Sequence, residues 1–481
     1  MSDTSVTSQP PIPLPSQGEI DASCRLPILT LFTGAALWLL LGAIGAMLAS
    51  MNFHNPQMFA DNMWFSYGRI LPAAKTWLVY GFGLPAMFGI ALWIAARLGK
   101  TLLSNSGAIM VAAKLWHLGV FIGSFGILCG ANSGHEGFEM PSYAAYMLLI
   151  ASVMISYFGL LTIHQRNETE MYPSLWFVIA GLLWFPWILS TATILLHVSP
   201  VRGLAQFAIA SWYVNNLQLV TFALFGMAAG LYFMPKLSGK QLHSKYLAFF
   251  SLATLVLFGS WSGLTLGGPL PKWMGSLSSV AAVFVIIPVL AHFDNTRRSC
   301  CIKSSAAEAK FFSLSIPMLL LSVLLAAVGA FVAQTHFTLM RTAQSVLLLQ
   351  GFMGLIALGG IYHILPKVTD IKLPSTKLVR LHFWCAVLGV LFIALPFIFG
   401  GWKQGGQLLH PSGSFAEVSK VVLMHIRMAS LGELLWVLGS LLLALNVFGT
   451  AYQWVRGIIR PVVVEGTSTV ASQLEKAGVK A

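Results

Sequence analysis

The residues best equipped for chemistry are charged side chains inside long apolar runs, together with the histidines. Lys75, Lys114, Arg427 and Glu433 each lie within such a run. A charge at bilayer depth costs roughly 2.5–3.5 kcal/mol on insertion scales, so these residues default to functional candidates. Lys75 and Arg427 lie near enough to run ends for the charged head to snorkel to the interface, and Lys114 is only slightly deeper. Glu433 is deeper still, and its type suits either a proton-path role or a buried hydrogen bond. Histidine suits haem iron or copper. His54, His135, His164, His197, His243, His336 and His410 fall at ends or in loops, whereas His117, His363, His382 and His425 lie in or at the edge of apolar runs. There is no His-x-His, His-His or His-Glu-x-x-His arrangement, so spacing alone defines no metal site. Cys24, Cys129, Cys300, Cys301 and Cys385 form no Cys-x-x-Cys or zinc spacing. Walker A and Gly-x-Ser-x-Gly sequences are missing, as is a dinucleotide fingerprint in a strand–helix context.

The elements that must position these residues are membrane helices. Of 481 residues, 57% are hydrophobic and 9% charged, with mean hydropathy +0.78. Soluble domains carry about 25% charged residues, so most of this surface must face lipid or other helices. Apolar runs fall near 27–51, 72–97, 108–130, 143–163, 173–197, 208–235, 245–267, 273–292, 312–333, 345–366, 378–400 and 420–450. Each meets the roughly 20 residues needed to span a bilayer as a helix, and runs this long exclude a barrel. The fold class predicted is all-α, a polytopic bundle of about 12 transmembrane helices. Loops after even-numbered runs hold Arg97, Lys100, Arg166, Lys236, Lys240, Arg297, Arg298, Lys367 and Lys372, among others, whereas loops after odd-numbered runs are poor in Lys and Arg. The positive-inside bias then places both termini in the cytoplasm, and the location expected for the bundle is a bacterial inner membrane. The net charge of +13 is spread in small groups between apolar runs, which excludes a nucleic-acid partner. The organisation expected is a disordered cytoplasmic tail over 1–26, a twelve-helix membrane domain over 27–452, and a polar cytoplasmic tail over 453–481 with a short surface helix.

Short motifs run along the chain in a definite order. Tyr67-Gly68-Arg69 leads to Pro72 and Gly81-Phe82-Gly83, followed by Met171-Tyr172 and Leu175-Trp176-Phe177. Trp212-Tyr213 with Asn216, Tyr232-Phe233 with Pro235-Lys236, and Pro269 through Trp273 come next. Tyr362-His363 with Pro366-Lys367, His382-Phe383-Trp384 and Leu445-Asn446-Val447 complete the series. In this order the chain resembles, over nearly its whole length, the catalytic subunit I of cbb3-type cytochrome c oxidases. The resemblance implies twelve helices with both ends cytoplasmic, and an activity of oxygen reduction coupled to proton pumping. It also implies six histidines holding a low-spin haem, a high-spin haem and copper. Carried onto this sequence, those six fall on Ala74, Asn215, Thr265, Leu266, Gln344 and Val346. The family's seventh-helix tyrosine falls near Phe258 and Gly259.

Alanine and valine offer no donor atom, and amides are poor ligands beside imidazole. The leading expectation is therefore a degenerate respiratory-complex subunit with no cofactor. A second reading keeps a haem, such as haem b, on displaced ligands, with His117 as the candidate. A third makes the bundle a transporter or sensor with Lys75, Lys114 and Glu433 along a polar path. Lys75, beside a former haem position, is further expected to pair with Glu433. Expected partners are membrane lipid and a membrane-anchored cytochrome c subunit or other respiratory subunits.

Overall fold

A computed structural model of the chain describes residues 14–59, 61–264, 269–300, 306–410 and 414–476, with 460–476 described as backbone only. Among the described residues, eleven helices are long and apolar enough to cross a membrane, and a shorter apolar helix makes the twelfth. We number them α1 (Gln17–Met51), α2 (Tyr67–Gly99), α3 (Ser106–Leu128), α4 (Ser142–His164), α5 (Pro173–Val198) and α6 (Leu204–Ser238). They continue as α7 (Lys245–Gly259), α8 (Lys272–Ser299), α9 (Ala309–Phe331), α10 (Leu339–Thr369), α11 (Thr376–Leu408) and α12 (Phe415–Lys476).

Three helix ends depart from the sequence-based expectation. The segment expected as a disordered tail to residue 26 turns helical at Gln17. Ser16 and Glu19 explain the start: each side chain takes the other's backbone N–H, at 3.3 and 2.7 Å, satisfying two donors that a helix start leaves open. At the other end, α12 continues without a break to Lys476, well past the polar boundary expected at 453. The run expected over 245–267 contracts to the 15 residues of α7, about 22 Å of helix, which is short for a bilayer of about 30 Å.

Burial separates an inner layer from an outer one. In α2 and α6, 94% of the apolar stretch is buried within the protein, and in α10 89%, against 44–61% in the other long helices. These three helices form the middle of the bundle. Glycines let them approach closely: a Cβ on Gly83 of α2 would press on Met353 of α10 and Phe222 of α6, and one on Gly226 of α6 would collide with Phe352 of α10. Aromatic side chains fill the interior, with Phe88 edge-on to Trp116, Phe185 and Phe225.

The inner helices also share an irregularity. Each is interrupted by a widened π-helical turn, at Trp77–Gly83 in α2, Asn216–Thr221 in α6 and Leu347–Gly354 in α10. A fourth occurs at the end of α5, over Ile194–Val198. Such turns are rare and concentrate at functional sites.

Candidate functional site

The positions to which the resemblance carries metal ligands stand at the heads of the three inner π turns. Ala74 and Gln344 lie about one helical turn before those of α2 and α10, and Asn215 and Val346 immediately before those of α6 and α10. The helices thus bring these residues to one end of the bundle, called here the Lys75 end. Thr265 and Leu266 lie outside the described residues.

Around Ala74 and Asn215 the space is taken by this chain's own atoms. Ala74 is 2% exposed, and a Cβ built on Gly45 of α1 would sit 3.1 Å from its methyl. Beside it, Trp77 stacks on Trp38 of α1 with ring centroids 6.5 Å apart. Asn215 donates its amide N–H to the Gly259 carbonyl at 2.8 Å and accepts from the Ser262 hydroxyl at 3.4 Å. The backbone carbonyl of Gln344 accepts from the Ser322 hydroxyl at 3.0 Å, and the adjoining Ser345 donates to Gln218 of α6 at 3.3 Å. A methyl group, an isopropyl group and amides do not fit the imidazole ligation of iron or copper.

Lys75 does not pair with Glu433. Its ammonium donates to Glu136 at 3.0 Å, across to the loop between α3 and α4. That loop carries the chemistry at this end. Lys75 holds the Glu136 carboxyl below the ordinary range, whereas burial raises that of Glu139, a residue only 5% exposed. Burial lowers His135 in the same loop. Tyr213 of α6 donates to the Tyr80 hydroxyl of α2 at 2.8 Å, and Tyr80 donates to the Gly137 carbonyl at 2.8 Å. The loop is thereby tied to two inner helices.

The other intramembrane charges are not gathered into one path. Lys114 is exposed on the outward side of α3, along with Val111, Leu118 and Phe121. Arg427 is exposed on α12. Glu433 has one carboxyl oxygen buried without a hydrogen-bond partner among the described residues. His117 accepts from the Trp38 indole at 3.1 Å and presses its Nε2 edge onto α1, where a Cβ on Gly34 would collide with the ring. A porphyrin has no space at that edge while α1 is packed there. His382 bonds to the Tyr362 hydroxyl at 2.7 Å, and His425 to the Val421 carbonyl at 2.8 Å. His363 lies between Glu308 at 3.3 Å and Lys367 at 2.6 Å.

Two features were missed from sequence. His292, at the last position of the 273–292 run, is fully buried with neither ring nitrogen hydrogen-bonded among the described residues. At the opposite end of the bundle, Asp21 of α1 accepts the Trp93 indole N–H at 2.9 Å and lies 3.6 Å from Arg97. Asp21 fell in the segment read as disordered, and only the long-range contact reveals its role.

An all-α bundle with three buried, π-interrupted helices at its centre defines a multi-pass membrane protein of the haem–copper oxidase subunit I fold. A heme-copper terminal oxidase dimer, solved by cryo-electron microscopy, superposes with a TM-score of 0.76 at 12% identity, covering 89% of this chain and 84% of that one. The chain belongs to the cytochrome c and quinol oxidase polypeptide I family, whose family model matches residues 27–435. Among similar proteins is a cytochrome c oxidase subunit 1 homolog, bacteroid, of Bradyrhizobium diazoefficiens, 22% identical over 86% of this chain and 80% of that protein. Another is a cbb3-type cytochrome c oxidase subunit of Stutzerimonas stutzeri, 23% identical over 82% of this chain and 88% of that protein.

Membership corrects one expectation. The family is one of haem–copper oxidase subunits, which normally bind haem and copper, and this overturns the inference from side-chain types that no cofactor belongs with this chain. The misfit described above concerns particular positions, and it does not extend to every residue of the bundle.

Proposed function

We propose that this chain is a membrane subunit of a bacterial respiratory complex that retains the oxidase subunit I scaffold but does not reduce oxygen at the usual haem–copper position. The carrying observation is the occupation of the π-turn heads: Ala74 is packed on α1, and Asn215 is hydrogen-bonded to the Gly259 carbonyl. Side chains that pack or bond in this way replace the ligands the scaffold otherwise presents. Its partners are then other respiratory subunits, a membrane-anchored cytochrome c subunit first among them, and its role is to hold or assemble them. A haem held by other residues is compatible with this reading, because the proposal concerns the six positions and the reaction they support.

The inner membrane is the location this reading requires, with both termini cytoplasmic. The support is the concentration of Lys and Arg in loops at one end of the bundle. The test is oxygen uptake by the purified protein supplied with reduced cytochrome c, alongside carbon monoxide difference spectra. The expected result is no uptake and no carbon monoxide-sensitive high-spin haem. Sustained cytochrome c-driven oxygen reduction sinks the proposal.

A further inference from the structure

At the end of the bundle opposite Lys75, a cavity of about 610 Å³ opens between α1, α2, α6 and α10. Its walls carry Arg25, Arg97, Lys236 and Lys367 against only Asp21 and Asp370. Among the described residues, only Arg97 of these cations has a carboxylate within 4 Å, Asp21 at 3.6 Å. We propose that this cavity binds a phosphate-bearing anion.

The simplest competing account is that the cations cap helices. Arg97, Lys236 and Lys367 do lie in the last turns of α2, α6 and α10, where the helix dipole favours positive charge. Capping leaves most of their donors unspent. Arg25 gives its Nε–H to the Val368 carbonyl at 2.5 Å, and its two terminal nitrogens have no partner among the described residues. Lys236 spends one N–H on the Tyr232 hydroxyl at 2.7 Å, and Lys367 one on His363 at 2.6 Å. An ammonium has three donors and a guanidinium five, so each cation can still donate into the cavity.

The charge balance indicates the class of anion. Four cations face two carboxylates. Three helix C-termini and one N-terminus at the rim each contribute roughly half a charge, which leaves about one positive charge in excess. That suits a phosphate monoester or diester carrying one or two negative charges better than a polyphosphate. Guanidinium forks and ammonium groups together match tetrahedral oxygens. The phosphate can come from a soluble molecule or from a lipid headgroup. Position favours the soluble source, because α2, α6 and α10 are the inner helices, 89–94% buried along their apolar stretches and screened from lipid by their neighbours.

The experiment uses the full-length protein in nanodiscs of phosphatidylcholine. Inorganic phosphate is titrated at constant ionic strength against chloride, with heat of binding and melting temperature as readouts. Phosphate should bind in preference to chloride and raise the melting temperature. Lys236→Gln and Arg25→Gln should each weaken binding about tenfold, the loss of one charge-assisted hydrogen bond. Lys114→Gln, on the lipid-facing side of α3, should bind like the unaltered protein. Arg25→Gln also removes a cap on Val368, so Lys236→Gln is the decisive variant if the first misfolds. A second arm replaces phosphatidylcholine with phosphatidylglycerol and omits phosphate. Stabilisation in that arm alone, abolished by Lys236→Gln, assigns the phosphate to a headgroup. No response to phosphate or phosphatidylglycerol, or full binding by Lys236→Gln, overturns the proposal.

Discussion

At the level of single residues, the loop between α3 and α4 sets two carboxyls against each other. Glu136 is lowered by Lys75, so its contribution to stability is present above the ordinary carboxyl range and is lost as pH falls through its lowered value. Glu139 is raised by burial, so it costs stability as pH rises from the ordinary range through its raised value. Glu139→Gln is therefore expected to raise the melting temperature at pH 8 and to leave it unchanged at pH 4. A melting series from pH 4 to 8 in detergent checks this, and equal effects at both ends would remove the account. The Lys75–Glu136 pair is a different case, with side chains 43% and 79% exposed. Breaking it by Lys75→Met should cost no more than about 1 kcal/mol, because solvent screens such pairs. At the opposite end, Trp93→Phe removes a buried hydrogen bond to Asp21 and should cost about 2 kcal/mol, seen as a lower melting temperature. Lys75 and Glu433 could be singled out from sequence because charge stands out in an apolar run. The partner of Lys75 could not: Glu136 is 61 positions away, and nothing local marks it.

At the level of the helix, apolar length was sufficient to locate the apolar helices among the described residues. It misplaced three ends, at the start of α1 and the ends of α7 and α12. The start of α1 is polar in composition, yet it is held by the Ser16–Glu19 cap and by contacts from Asp21 to α2. Apolar length overran the end of α7, where Ser260, Ser262 and Gly263 interrupt the run and favour a turn. The π turns were not legible either, since one extra residue per turn leaves composition unchanged. Close approach of the inner helices supplies a test at this level. Gly226→Ala places a methyl against Phe352 and should cost about 1–3 kcal/mol by overpacking. A lowered melting temperature checks it. Gly68→Ala, where a Cβ meets nothing within 4 Å, should leave the melting temperature nearly unchanged.

For the molecule as a whole, charge asymmetry predicts orientation. Fusion of alkaline phosphatase after residue 476 should give an inactive enzyme, and fusion in the loop near residue 135 an active one, in cells that export it only across the inner membrane. The reverse pattern would invert the bundle and place the phosphate-binding cavity outside. The scaffold was legible because its motifs keep their order from Tyr67 to Val447. The cavity at the Arg97 end was not, because its four cations are spread from position 25 to 367 and only folding gathers them.

The π turns have a consequence for mutational drift. Each takes up about one extra residue in a widened turn, so the two halves of an inner helix keep the facing they would have in a regular helix one residue shorter. Deleting one residue there would restore a regular helix and leave the two halves facing as before. A one-residue deletion in the regular part of the same helix has no such slack and would swivel one half by about 100° against the other. The apolar stripe of that half would turn off its neighbours while the hydropathy profile barely changed. Chain length is thus more tightly constrained in the regular parts of the inner helices than within these short stretches.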